Sequence, residues 1–460
     1  MDIEAGQQYP LEPDLSGYYS WNDYWARVHG QHWRTEPEIS AERQASIAVW
    51  GAYGRHADGH RVRLTRADVE WLLANHRSAG MVGPVNAHDP AQRTRPGIDL
   101  RGADLRGADL SDLPLAHLIG GAILKKNRAT PDDDVIAPWQ YRVAEYLLAS
   151  GFDVTTTTRD RAAVNLRGAS LRGADLEEAY LYGADLRGAD LRRVHLIGAS
   201  LRGARLEQTD LRGAHLSGAL LQRVTCDAST RFDGANLFDW EHGAPLLADI
   251  HWGGANLNVV SWDGLTVLGD ERAAKAALDA RRRAKPPKLP KGSKLPKLPK
   301  LLDEQRLEEE TAIRANRQLA IELRNQGLSE VSDHLAYRAL VLRRQTLSRQ
   351  HQHGRVLWSW LLDLTSGYGY KPVRSVITYL VIVGCFALAY YFLGNAIHPP
   401  LGPIGALVFS VTSFHGRGFS PGENVSITSP ITIVAAGEAI IGLLIEITFI
   451  ATFTYRFFAR

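Results

Sequence analysis

Three spacings of apolar residues divide the chain. The first has a period of five. From Leu166 an apolar residue recurs at Leu171, Leu176, Leu181, Leu186, Leu191, Leu196, Leu201, Leu206, Leu211, Leu216, Leu221 and Cys226. Two positions before each stands a small residue, mostly alanine, as at Ala169, Ala174, Ala179, Ala184 and Ala189, with Val194, Thr209 and Val224 as variations. A one-residue shift carries the register to Phe232 and Leu237, and a weaker form runs on through Leu247, Trp252, Leu257 and Trp262. An earlier block, "GIDLRGADLRGADL", places Leu100, Leu105 and Leu110 in the same pattern. Neither a helix, with period 3.6, nor a flat strand, with period 2, keeps a spacing of five.

The second spacing is helical. "TRADVEWLLANH" predicts a helix capped by Thr65. "PWQYRVAEYLLASG", inside an insertion at about 124–162, predicts one amphipathic helix ended by Gly151. Residues 302–352 predict a helical hairpin, with Gly327 closing the first helix, Ser329 capping the second, and Leu319, Ile321, Leu323, Leu335, Leu340 and Leu342 supplying contact faces. Residues 353–372 bring Trp358, Trp360 and several leucines to a segment suited to lie along the inner membrane face. The third pattern is continuous: Val376 to Leu393 and Ile431 to Phe453 are apolar runs, and about 20 residues suffice to cross roughly 30 Å of hydrocarbon.

Charge orients these runs. Lys371 and Arg374 precede the first and Arg456 and Arg460 follow the second, while Arg417 is the only Lys or Arg between them. The positive-inside rule then puts both chain ends in the cytoplasm, in the cell (inner or plasma) membrane. The polar, acidic start "MDIEAGQQYPLEPDLSG" is not a secretory signal. The two cysteines, Cys226 in a leucine slot and Cys385 in an apolar run, form no disulfide framework. Residues 268–301 read as a basic, Pro-rich linker. From Arg281 to Lys300 it has nine basic residues and no acid. It is either a solvated spacer or a contact for anionic lipid through Arg281, Arg282, Arg283, Lys285, Lys288, Lys291 and Lys294, at about 1 kcal/mol per basic residue near the surface. No aromatic residues interleave with these charges, which argues against nucleic acid. No phosphate loop, nucleophile motif or metal-spaced Cys/His set occurs, so neither an enzyme nor a bound cofactor or metal is expected. Residues 1–97 predict helices, and no function attaches to them.

The five-residue pattern resembles the pentapeptide-repeat family, whose consensus is close to A-(D/N)-L-x-x, over residues 98–267. The resemblance implies a right-handed quadrilateral β-helix, one pentapeptide per side, with leucine and alanine stacked inward and coils about 4.8 Å apart. Some relatives mimic DNA with a strongly acidic face. Here arginines interleave with the acids, so a rod that senses or binds an unidentified cytoplasmic protein or ligand is expected instead.

About 37 residues, Gly394 to Pro430, separate the two long runs. "GPIGALVFSVTSF", from Gly402, is long enough for a half-crossing helix, and the glycine-rich "HGRGF" follows it. Residues 373–460 thus resemble the two-transmembrane potassium-channel family, on "ALVFSV" before the loop and "EAIIGLL", Glu438 to Leu444, in the second run. The predicted architecture is multidomain: a cytoplasmic β-helix, a helical hairpin, and an α-helical two-transmembrane channel-like pore module with a re-entrant helix and filter-like loop at 402–421. The resemblance implies a homotetramer passing a monovalent ion. It places a filter at Phe414, His415, Gly416, Arg417 and Gly418, where the family has T-V-G-Y-G, and a gating hinge at Gly442. "GYGY", Gly367 to Tyr370, precedes the first run and reads as a turn. Glu438, Gly442 and Glu446, spaced by four, form one stripe, which either packs between helices or lines or supports the pore. Glu438 or Glu423 is the expected partner of an outward-facing Arg417. Were Arg417 to face the axis, the pore would select anions. The competing class is a non-conducting, membrane-anchored pentapeptide-repeat scaffold.

Overall fold

The computed structural model describes residues 39–53, 62–78, 80–121, 163–262, 264–283, 299–394, 401–416 and 430–458. They fall into two compact units, Met1–Ser332 and Asp333–Arg460.

The first unit is organised by a coil. Its parallel bridges join residues twenty apart: Asn165 with Asp185, Ser170 with Asp190, Asp175 with His195, Tyr180 with Ser200, and so on. Twenty residues per turn with a bridge every fifth residue is a coil of four sides. The local sequence makes each corner. In Leu166-Arg167-Gly168-Ala169 the Ala169 N–H donates to the Leu166 carbonyl at 3.0 Å, and Gly168 has φ +66°. Positive φ at the third position alone is the requirement of a type II turn, which glycine meets without strain. Leucine and alanine on either side of the corner point inward, and Leu171, Ala174, Leu176 and Leu181 are wholly buried. Cys226 lies in this core, where burial pushes its thiol up to about 12.

The coil tolerates insertions because its pairing resumes in register. Asp99 pairs with Ile119 across one ordinary turn, whereas Asp104 pairs with Asn165 and Ile119 with Tyr180, so the chain departs after one coil and returns on the matching side. The predicted insertion helix lies outside the described residues. The coil also begins earlier than its repeats. Arg63 bridges Asp104, and the Leu64 N–H donates to the Asp104 carbonyl at 3.0 Å, so residues 62–64 supply a side that the leucine pattern does not reveal. Around this start stand α1 (Ala41–Tyr53), α2 (Arg66–Ala74) and a small hairpin, β1 (Arg77–Ser78) with β2 (Met81–Val82). Thr65 caps α2 in a capping box with Asp68.

At the other end, helices finish the coil. α3 (Gly269–Arg283) occupies the start of what the prolines and arginines predict as a linker, so Arg281, Arg282 and Arg283 close a helix instead of opening an extended spacer. Its sequence "ERAAKAALDA" has strong helix formers, which outweigh the downstream prolines. Lys285, Lys288, Lys291 and Lys294 lie outside the described residues. α4 (Pro299–Asn325) follows and packs on α3. Between them they satisfy the main-chain donors that a next coil would have paired. The Leu247 N–H donates to Asp270 Oδ2 at 2.7 Å, that of Asp249 to Gln318 Oε1 at 2.9 Å, and that of Leu257 to Gln326 Oε1 at 2.7 Å. Covering an open β edge in this way removes a template for aggregation. α4 ends at Gly327, φ +84°, with the Leu328 N–H returning to the Leu323 carbonyl at 2.8 Å. α5 (Ser329–Arg349) starts with Ser329 already in the helix.

The second unit holds most of α5, then α6 (His353–Ser366), α7 (Pro372–Gly394), α8 (Pro403–Phe414) and α9 (Pro430–Phe458). Gly367, in the left-handed region, caps α6, and "GYGY" is the turn into α7. Residues 373–393 and 430–450 are long and apolar enough to cross a membrane. Only 17 % of each window is buried, unlike the core helix of a soluble protein.

Candidate pore module

α8 is half the length of a span, and it is wedged between the two span-length helices. Pro403 at its first turn fixes its start, where a missing N–H is harmless. Its inner face meets α7 and α9 in two layers. Tyr390, Ala406, Phe409 and Ile431 form one, and Val383, Phe414 and Ile445 the other. Aromatic edges lock both, with Tyr390 against Phe409 at 4.7 Å and Tyr379 against Phe414 at 4.9 Å between ring centres.

A polar junction ties the same three helices. The Tyr390 hydroxyl on α7 donates to Glu438 Oε2 on α9 at 2.6 Å. Ser410 on α8 has its hydroxyl 2.5 Å from Glu438 Oε1 and 3.0 Å from the Val383 carbonyl. Glu438 is fully buried. Its two oxygens have the Tyr390 and Ser410 hydroxyls as partners, and the expected pairing with Arg417 lies outside the described residues. Glu438 faces its own chain's half-helix. One turn on, a Cβ at Gly442 would lie 2.0 Å from the Phe414 carbonyl oxygen. This close approach gives the glycine a packing reason of its own. Glu446, a turn further, is half-buried.

The filter-like segment begins where α8 ends. Phe414 is buried in the second layer. His415 is exposed, and its Nδ1 lies 2.8 Å from the Val411 carbonyl. Gly416 takes φ +65°, and its N–H donates to the Ser413 carbonyl at 2.9 Å. Arg417, Gly418 and Glu423 lie outside the described residues. The last turn of α8, at Phe414, carries the negative end of the helix dipole.

A second polar centre anchors the entry to α7. Asp363 on α6 is nearly buried and accepts hydrogen bonds from Tyr337 at 2.9 Å and Arg344 at 2.7 Å on α5, and from Arg374 on α7 at 2.9 Å. Burial alone would push the carboxyl up, but the Arg344 and Tyr337 hydrogen bonds outweigh it and hold the carboxyl below the usual range. Sequence reasoning missed Tyr390, Ser410 and Asp363. The signal was present: Asp363 is the lone acid in a Trp- and Leu-rich segment.

On the coil, acids and arginines neutralise one another. Arg187 grips Asp185 through Nε at 2.7 Å and Nη2 at 2.5 Å, and Arg106, Arg192 and Arg212 hold Asp104, Asp190 and Asp210 in the same way. The Arg187 guanidinium keeps the Asp185 carboxyl below the usual range. An uncompensated acidic face is therefore absent from these columns.

The model for pentapeptide repeats, eight copies, matches residues 162–197 and 189–225. Among solved structures, a pentapeptide repeat protein from the cyanobacterium Cyanothece 51142 is 21 % identical over 34 % of this chain and 90 % of its own, with TM-score 0.16. One from Nostoc PCC 7120 is 35 % identical over 19 % of this chain and 75 % of its own, with TM-score 0.11. HetL, a pentapeptide repeat protein involved in heterocyst differentiation regulation in Nostoc sp. strain PCC 7120, is 24 % identical over 32 % and 55 %, with TM-score 0.11. No curated protein matches the sequence. The chain is a pentapeptide-repeat protein whose C-terminal region is helical and contains two helices long enough to span a membrane.

Proposed function

We propose that this chain is the subunit of a homotetrameric cation channel with the two-transmembrane potassium-channel architecture. In this reading α7 and α9 are the spans, both chain ends are cytoplasmic, and the right-handed β-helix is a sensing or partner-binding domain. The observation that carries the reading is α8. It is a half-length apolar helix seated between two span-length helices, pinned by Ser410 to Glu438, and ended by a positive-φ glycine. Irregular backbone at membrane depth is tolerated where it is buried or lines water, and backbone carbonyls are the ligands of a cation filter. The dipole of α8 adds negative potential where that loop starts. Glu438 acts here as a support behind the half-helix, and Glu446 as the cation-attracting group nearer the cytoplasm. The basic residues 281–294 contribute attraction to anionic headgroups.

The test is flux. Purified full-length protein in liposomes should collapse a potassium gradient, read by a potential-sensitive dye. Liposomes that hold the protein yet remain tight would leave the chain a membrane-anchored scaffold.

A further inference from the structure

We infer that the second unit contains a binding site for an anionic phospholipid headgroup, in a cleft between α5 and α6. This rests on the membrane reading of α7 and α9, but not on conduction. The cleft has a volume of about 430 Å3. On α5 it is lined by one helical face that carries Arg343, Arg344 and Leu347. On α6 it is lined by Gly354, Arg355 and Trp358. Three arginines thus line one concavity. Arg344 is held from behind by Asp363 at 2.7 Å and lies 4.6 Å from the Trp360 ring centre, so its position is fixed before any ligand arrives. Arg355 is steadied by Gln352 at 3.0 Å. Asp363 offsets part of the charge, and it is already shared with Arg374. The lining therefore carries net positive charge, and guanidinium forks are suited to phosphate oxygens.

The floor distinguishes a lipid from a free anion. Leu340 and Leu362 line the same cleft, and a Cβ at Gly354 would meet nothing within 4 Å. The apolar surface continues outward along α6 through exposed Leu357, Trp358, Leu361 and Leu364, towards the first residues of α7. A tryptophan with leucines beside arginines is the composition of a helix lying at the headgroup level. A phosphodiester with attached acyl chains satisfies both halves of the cleft, whereas inorganic phosphate satisfies only one.

The experiment uses the full chain in a neutral detergent, titrated with dioctanoyl phosphatidylglycerol, dioctanoyl phosphatidylcholine or sodium phosphate and followed by calorimetry. Phosphatidylglycerol should bind saturably, and the other two should bind at least about tenfold more weakly, as expected for two charge-assisted contacts plus apolar burial. Arg343→Ala with Arg355→Ala should weaken phosphatidylglycerol binding by about tenfold or more. Gly354→Phe, which fills the cleft without changing charge, should do the same. Equal binding of phosphatidylcholine, phosphate binding as tight as the lipid, or unchanged affinity in both variants would each overturn the assignment. Flotation of the protein with phosphatidylcholine vesicles separates the two readings. A protein that floats but ignores phosphatidylglycerol overturns this site alone, and one that does not float overturns the membrane reading.

Discussion

Gly442 sits where α9 has no room for a side chain. A methyl group there meets the Phe414 carbonyl oxygen at 2.0 Å. Gly442→Ala should therefore push α9 off the end of α8 and lower stability by about 1–3 kcal/mol, the usual cost of overpacking. Thermal unfolding in detergent measures it, and an unchanged midpoint would contradict the close approach. Glu438 makes a complementary prediction. Glu438→Ala removes the acceptor shared by the Tyr390 and Ser410 hydroxyls and should cost about 1–3 kcal/mol, mostly through Tyr390, because Ser410 keeps the Val383 carbonyl. Glu438→Gln keeps one carbonyl acceptor and should cost less. Equal loss in the two variants would show that the hydrogen bonds are not what matters. The partners of Glu438 were not legible in the sequence, because Tyr390 lies 48 residues away and Ser410 lies 28. Only the packing of three helices selects them, and no local pattern encodes that choice.

Among the elements, the coil was the most legible. Its repeat writes the corner chemistry into every five residues: leucine inward, a turn glycine at positive φ, alanine inward, then the bridging position. What lay outside the repeat was invisible. Val62 and Leu64 join the coil through main-chain bonds, which leave no periodic trace. α3 was hidden by the arginines and prolines around its end. Its N-terminal Asp270 gives a test of the cap. The carboxyl is buried, and burial pushes it up to about 7, against an ordinary value of about 3.9. Between those values the folded chain holds a proton that the unfolded chain has released, so stability should fall as pH rises from about 4 to about 7 and level off above. Asp270→Asn should flatten that slope in urea unfolding followed by the coil's circular dichroism. A slope equal to the wild type would contradict the assignment. Gln326→Ala, which removes the side chain paired with Leu257 and Ala255, should cost about 1–3 kcal/mol in the same assay.

For the whole molecule, the repeats and the two long apolar runs were plain from their spacing. The filter was not, because the family triplet is absent and Arg417, Gly418 and Glu423 lie outside the described residues. The account therefore stands on α8 and on what α8 delivers to the loop. Glu446→Gln should lower single-channel conductance, and unchanged conductance would remove that residue from the ion path. The central claim is that the module passes cations. The most direct measurement is the reversal potential of the purified full-length protein in planar bilayers under opposed potassium chloride gradients. The account predicts a reversal near the potassium equilibrium potential. A reversal near that of chloride would contradict it.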